Sequence, residues 1–190
     1  LFTNRYGSHP MMGGTPWRWH AQMLRQMAFI EADMEHYEEQ LRWIEAYNEL
    51  YRPEMLAESA WPLMKLRRFD DARTAADIGR RSGAPWQNEV ALNALCAVEF
   101  EAGDERASYD ACRAALMLHG ADPERQSAVD FTNFAEAARS LFFLDEAEEM
   151  GLLATRAEVS WYGNPYVELG ELYLREARFA EALAMLREVH

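Results

Sequence analysis

Residues that could do chemistry are sparse in this sequence, and the densest group lies in one short acidic segment. The stretch "EADMEHYEE", residues 31–39, places several carboxylates around His36. Carboxylate-bridged metal sites in helical bundles need a Glu-x-x-His pair from each of two facing helices. Only one partial version occurs here, and it is built on Asp33. We therefore interpret the segment as a solvated acidic face and expect no metal site.

The sequence has two cysteines, Cys96 and Cys112, and neither forms part of a CxxC or CxxH motif. Such spacings are typical of zinc sites, and several paired cysteines are typical of a disulfide framework. The sequence predicts neither. Because cysteine often behaves as a small buried hydrophobe, we interpret both as unreactive core groups. Both cysteines should react slowly with a thiol reagent in the native protein and fast after the protein is denatured.

Catalytic motifs are missing from the sequence as well. It contains no Gly-rich phosphate loop, no GxSxG and no HExxH, which are the motifs that would indicate phosphate binding, a nucleophilic serine or zinc hydrolysis. We expect no enzymatic activity and no cofactor.

The charge balance argues against two classes of partner. The chain has 32 acidic and 19 basic residues among 190, a net charge of −13. Surfaces that bind nucleic acid or anionic membranes are usually basic, so neither partner is expected. No apolar run approaches the ~18–20 residues that span a bilayer. The compartment stays open, with the cytoplasm favoured.

A regular series of breaks divides a sequence that otherwise looks helical. From Trp17 onward Leu, Ala, Glu, Arg and Met dominate and β-branched residues are scarce, which predicts helices and no strands. Prolines suited to helix starts recur 32, 38 and 42 residues apart, at Pro53, Pro85, Pro123 and Pro165. Each segment between these prolines also contains a short turn-like stretch, so each segment is predicted to form two helices. Helix pairs repeating every ~34–40 residues predict a solenoid of helical hairpins.

The N-terminal part has two features of its own. Residues 1–16, "LFTNRYGSHPMMGGTP", carry three glycines and two prolines and are predicted to be a flexible arm or loop before a repeat domain at 17–190. Residues 23–44 follow a heptad pattern with no Gly or Pro between Trp17 and Pro53, so one long helix is an alternative. We favour a hairpin that turns near 34–36, because "HYEEQL" has suitable turn and packing residues.

The final block, "LGELYLREARFAEAL", resembles the tetratricopeptide repeat (TPR) family. The residues that carry this resemblance are Leu169, Gly170, Tyr173, Phe179, Glu181 and Ala182. "RFDDA" and "FLDEA" are similar to the same template, and "HYEEQL" and "GDERAS" are more diverged. The resemblance implies an all-α fold of about five hairpins, stacked as a TPR-like right-handed superhelix.

Small residues at matching places support this register, since two helices can approach closely only where their side chains are small. In the first helices of the hairpins this small column is Ala28, Ala60, Cys96, Ala135 and Gly170. In the second helices it is Gln40, Ala72, Ser108, Ala147 and Ala182.

The resemblance also implies where a partner would bind. Relatives of this family hold peptide segments against a concave wall made by their first helices. We therefore expect a protein–protein interaction scaffold whose partner is a peptide segment with apolar anchors and some positive charge. The register places these residues on the wall: Phe29, Trp61, Met64, Lys65, Asn93, Phe100, Glu136, Arg139, Glu171 and Arg175. The carboxylate clamp of the chaperone-binding members is matched only in pieces, at Lys65 and Asn93.

Two alternatives to the scaffold remain open at this stage. The chain could be a sensor or assembly domain of a larger regulator or enzyme. It could also be a self-associating structural subunit that uses an open C-terminal face. Solenoids usually finish with a polar capping helix, and none follows the last repeat, so we expect the sequence to be part of a longer chain.

Overall fold

The fold is seen in a computed structural model of the chain, which describes residues 16–51, 55–122, 124–157 and 164–189. Throughout these residues the regular structure is helical, and no strand occurs in them. The predicted arm at 1–16 falls outside the described residues, apart from Pro16, which begins the first helix. The prediction of an all-α fold is confirmed.

Across the described part of the chain, ten α-helices form five consecutive hairpins. The helices are α1 (Pro16–Asp33), α2 (Tyr37–Leu50), α3 (Ala60–Lys65), α4 (Phe69–Arg81), α5 (Pro85–Ala102), α6 (Glu105–Met117), α7 (Ala128–Ser140), α8 (Leu144–Ala154), α9 (Pro165–Arg175) and α10 (Phe179–Leu186). A short 3₁₀ turn, Ala57–Ser59, leads into α3. Each odd-numbered helix packs on the helix that follows it, and each even-numbered helix packs on the first helix of the next hairpin.

The same turn joins the two helices of every hairpin. One residue adopts the left-handed conformation, and the next N–H donates to a carbonyl five residues back, which is a Schellman motif. The left-handed residues are Glu35, Arg67, Gly103, Phe142 and Ala177. In the first hairpin the His36 N–H donates to the Glu31 carbonyl at 2.8 Å. Helices α1 and α2 therefore form a hairpin, as favoured, and not one long helix.

Local side chains explain where the helices start. Pro85 and Pro165 occupy the first turns of α5 and α9, where a missing N–H costs nothing. Asn164 accepts a bond from the Tyr166 N–H at 3.0 Å, and Ser127 forms a capping box with Asp130 at the start of α7. The other two predicted break points, Pro53 and Pro123, lie outside the described residues.

The two columns of small residues lie at the helix crossings. All ten of these residues are buried. A Cβ at Gly170 would come within 2.8 Å of Leu186 on α10, so α9 and α10 approach closely there. Between hairpins, a Cβ at Gly151 of α8 would come within 2.6 Å of Leu169 on α9. The predicted hairpin register is therefore supported by the packing.

The third hairpin departs from the sequence-based interpretation of the cysteines. Cys96 on α5 and Cys112 on α6 form a disulfide, with their Cα atoms 4.7 Å apart. The prediction of two free core thiols was wrong, although both residues are buried. The reason is geometric: each cysteine occupies a crossing position of the same hairpin, and the two helices meet there at disulfide distance.

The first helices lie closer to one another than the second helices do. From the second hairpin on, α3 contacts α5, α5 contacts α7, and α7 contacts α9. Within the described residues, successive second helices are separated by the first helix of the next hairpin. A stack that is tighter on one side curves toward that side, so the first helices line the concave wall. None of the described helices is both long and apolar enough to cross a bilayer.

Candidate protein-interaction surface

Trp61 is the main apolar feature at the α3 end of the concave wall. The residue is 43% exposed, and the Lys65 ammonium lies 4.8 Å from the centroid of its ring. This cation–π contact holds the side chain in place at the surface. An aromatic side chain held in this way can serve as an anchor at modest entropic cost.

The next helix along the wall, α5, contributes Asn93 and Phe100, both of which are exposed. Phe29, on α1, is only half-buried. Met64 behaves differently from the prediction: it is 2% exposed and packs in the core formed by α3, α4 and α5. It cannot contact a partner without unfolding that core, because it lies one turn after Ala60 on a buried face of α3.

A buried arginine organises the charged end of the wall. Arg139, on α7, donates from Nη1 to Glu171 Oε2 at 2.5 Å, and its Nη2 lies 3.0 Å from Glu168 Oε2. Its Nη2 is also 3.9 Å from Glu136 Oε1. Three carboxylates thus share one guanidinium. Arg175, one turn after Glu171, stays exposed.

Two of these carboxylates have perturbed acidity. Burial raises the pKa of Glu136, and the neighbouring carboxylates of Glu171 and Glu101 raise it further, against the opposing effect of Arg139. Burial likewise raises the pKa of Glu168, with Arg139 opposing. The excess of carboxylates over the single guanidinium leaves this part of the wall negative, which suits a cationic group.

The structure thus brings some predicted residues together and keeps others apart. Glu136, Arg139 and Glu171 form one cluster, and Trp61 and Lys65 form one contact. Asn93, Phe100 and Arg175 lie on separate parts of the same wall. Arg139 is too buried and too well paired to bind a partner directly. Sequence analysis missed Glu168, although its place one turn before Glu171 on the same helix indicates a shared face.

In the acidic segment at residues 31–39, one close contact joins the two sides of the first hairpin turn. His36 Nδ1 lies 3.0 Å from Glu31 Oε2 across the first hairpin turn. Among the residues that the structure describes, no group of three or more metal-ligating side chains converges.

The fold and the curved wall define a TPR-like solenoid of helical hairpins. Among solved structures, the chain is similar to "MamA 41-end from Desulfovibrio magneticus RS-1", with 17% identity and a TM-score of 0.66, covering 89% of this chain and 92% of that one. It is also similar to "MamA RS-1 ArsTM double mutant", with 17% identity and a TM-score of 0.64, covering 88% and 90%. At this identity the likeness shows the fold alone. No family model and no curated protein matches the sequence.

Proposed function

We propose that this protein is an interaction scaffold that binds a basic peptide segment of another protein along its concave wall. The observation that supports the proposal is that the first helices carry both exposed aromatic side chains and a cluster in which three carboxylates share one guanidinium. Trp61 and Phe100 supply apolar contacts, and Glu136, Glu168 and Glu171 supply negative charge around Arg139.

The charges favour a cationic ligand both in contact with the wall and at long range. Close to the wall, the carboxylates outnumber the guanidinium that they share. Farther away, the net charge of −13 attracts cations toward the whole molecule. A lysine or arginine of the peptide would replace water beside Glu136 and Glu171, while its apolar residues pack on Trp61 or Phe100. The proposal includes no chemical step, so we infer a binding protein and not an enzyme.

A random dodecapeptide phage library, panned on the immobilised protein, tests this function. Selected peptides should be rich in Lys or Arg together with aromatic or aliphatic residues. A synthetic version of a selected peptide should bind the parent protein more than ten times as tightly as the variant that combines Trp61→Ala with Glu171→Arg. Loss of one aromatic anchor alone can remove ~2 kcal/mol, or about thirty-fold in affinity.

The matched control combines Ile78→Ala with Glu149→Arg, because both residues are exposed on second helices, away from the wall. It makes an equivalent change in charge and should leave binding unaltered. Peptides without basic residues, or equal affinity for the parent and the Trp61→Ala/Glu171→Arg variant, would show that the wall is not the binding surface.

A further inference from the structure

The buried apolar side chains of the second to fifth hairpins fall into two cores that meet in the third hairpin. The proximal core is formed mainly by helices α3 and α4 together with Ala91, Ala94 and Val98 of α5. The distal core is formed by helices α6 to α10 together with Cys96 of α5. Within the described part of α5, Cys96 is the one residue that belongs to the distal core. Helix α5 therefore packs mainly on the hairpin before it.

The polar contacts of α5 and α6 follow the same division. Arg73 of α4 donates from Nε and Nη2 to the two carboxylate oxygens of Glu99 on α5, at 2.8 and 2.6 Å. On the other side, the Tyr109 hydroxyl of α6 donates to Glu146 of α8 at 2.7 Å, and the Tyr109 ring packs on Phe134 of α7. Helix α5 is thus held to the second hairpin, and helix α6 is held to the fourth.

The Cys96–Cys112 bond crosses the seam between α5 and α6, where the two Cα atoms are 4.7 Å apart. Beside the bond, the Ser108 hydroxyl donates to the Cys96 carbonyl at 2.9 Å. At the far end of the seam, His119 Nε2 lies 3.5 Å from Glu89 Oε2, and both side chains are partly exposed. A covalent bond is far stronger than either polar contact, so the disulfide is what fixes the two helices relative to each other.

The same seam divides the concave wall into two halves. Trp61 and Phe100 lie on α3 and α5, on the proximal side. Arg139 and the carboxylates that share it lie on α7 and α9, on the distal side. A peptide that packs on an aromatic side chain and also pairs with the carboxylates must span the seam. Its affinity therefore depends on how the two halves are placed relative to each other.

We propose that the Cys96–Cys112 bond fixes a hinge between α5 and α6, and that its reduction lowers the affinity of the wall for a peptide that spans both halves. The inference rests on the proposed function and adds the regulation of the same surface. Two thiols need more room than a bonded pair at so close a crossing, so reduction moves α6 away from α5.

The hinge axis is the contact between α5 and α7 along the wall, about which the distal half turns. In the reduced protein only a fraction of the molecules present both halves in the arrangement that the peptide requires. The apparent affinity falls by that fraction, because a ligand binds in full only to the competent conformation. Each half keeps its own core, so binding to one half alone is unaffected.

A dithiol such as dithiothreitol carries out the reduction in two exchange steps. One thiolate of the reagent attacks a sulfur of the pair, forms a mixed disulfide and releases the other cysteine as a thiolate, which takes a proton. The second thiolate of the reagent displaces the remaining cysteine and closes a cyclic disulfide. The reagent loses two electrons and two protons, and Cys96 and Cys112 gain them as thiols. Because both cysteines are buried, the exchange is slow and requires the seam to open.

Single-molecule fluorescence energy transfer tests the hinge without any peptide. Dyes are attached through non-natural amino acids at Thr74 on α4 and Glu149 on α8, both of which are exposed. The distance distribution between the dyes should shift and broaden when the parent is reduced, and equally in the Cys96→Ala/Cys112→Ala variant without reductant. A dye pair at Glu38 and Thr74, both exposed and both on the proximal side, is the matched control and should not respond.

Peptide binding tests the consequence for the wall. A peptide from the phage selection whose affinity falls with both Trp61→Ala and Glu171→Arg spans the two halves. It should bind the oxidised parent about three-fold to ten-fold more tightly than the reduced parent or the double alanine variant. A version with its basic residues replaced by serine should bind all three forms equally. Leu41→Ala, in the proximal core, controls for general destabilisation and should lower the melting temperature without this loss of affinity.

The outcomes separate the hinge from the proposed function. Circular dichroism confirms that each form is folded, and a thiol count confirms reduction. Equal dye distances in the oxidised parent, the reduced parent and the folded double variant would overturn the hinge, whether or not any peptide binds. A bond that dithiothreitol leaves intact in the native protein would overturn its redox sensitivity. Shifted dye distances with unchanged affinity for a spanning peptide would refute the control of binding. If no peptide binds the oxidised parent, the proposed function fails while the dye distances still decide the hinge.

Discussion

At the scale of single residues, the carboxylates around Arg139 give the wall a pH dependence. The pKa values of Glu136 and Glu168 are raised above 4.5, chiefly by burial. These groups therefore bind protons at a higher pH than ordinary glutamates do, and the wall loses negative charge first as pH falls. Affinity for a selected basic peptide should fall as pH decreases through the raised pKa values of these two groups, at a higher pH than that at which exposed glutamates titrate. Fluorescence anisotropy across this range measures it.

The same two groups affect folding with the opposite sign. Because their folded pKa values exceed the unfolded value of 4.5, the folded state takes up protons first, and their contribution to stability rises as pH falls through that window. Glu136→Gln should weaken the pH dependence of peptide binding while the protein remains folded. A binding curve with the same pH dependence in the parent and in Glu136→Gln would show that this carboxylate does not contact the peptide's charge.

The Cys96–Cys112 disulfide gives a second prediction at this scale. The two residues are 16 apart, and closing a loop of about this length stabilises a fold by about 3 kcal/mol. Replacing both cysteines with alanine should lower the free energy of unfolding in urea by about that amount. Dithiothreitol should destabilise the parent protein but not the double variant. Denatured, unreduced protein should show no thiol reactive toward Ellman's reagent; two reactive thiols per chain would contradict the bond.

The cysteines also show where sequence reasoning stopped. The place of Cys96 in the small column of the first helices could be predicted, and so could the burial of both cysteines. Their bond could not, because a small column specifies a close approach without stating whether two sulfur atoms or two methyl groups fill it. Met64 was also misplaced: the sequence-based register puts it on the wall, but it lies one turn after Ala60 and shares the buried face of α3.

At the scale of secondary-structure elements, the five hairpins have the same turn conformation but different residues at its left-handed position. Only the third hairpin has a glycine, Gly103, at the left-handed position; the others have Glu35, Arg67, Phe142 and Ala177. The left-handed conformation costs a residue with a Cβ about 1–2 kcal/mol. Four turns are therefore held in this conformation by the packing of the helices on either side of them.

This difference can be measured with a matched pair of substitutions. Ala177→Gly should raise the free energy of unfolding by about 0.5–1 kcal/mol, since relief of the left-handed strain exceeds the added entropy of glycine. Gly103→Ala should lower it by about 1 kcal/mol; a Cβ there meets no atom within 4 Å, so the cost is conformational and not steric. Urea unfolding measures both. Equal signs for the two changes would contradict the shared turn.

The helices themselves were largely predictable. Proline positions, small columns and the resemblance of the last block predicted five hairpins, because these features depend on local backbone chemistry and pairwise helix packing. The charge cluster was only partly predictable. Its partners come from α7 and α9, and the sequence does not show which rotamers bring Arg139 within reach of Glu168.

At the scale of the whole molecule, the disulfide bears on the compartment. Disulfides persist in oxidising compartments and are rare where thiol reductants are abundant. The bond between Cys96 and Cys112 is therefore expected to persist in an oxidising compartment and to be reduced in the cytoplasm.

The disulfide also gives this array of hairpins an uneven response to mechanical tension. When a solenoid is pulled from its ends, every hairpin carries the same force, and the hairpins unfold one after another. The bond between residues 96 and 112 removes a segment of 16 residues from that extension, which at up to ~3.5 Å per residue is about 50 Å of contour length. Optical-tweezer traces should therefore lengthen by that amount when a reductant is added. The third hairpin would act as a stiff, redox-dependent link in an otherwise compliant chain.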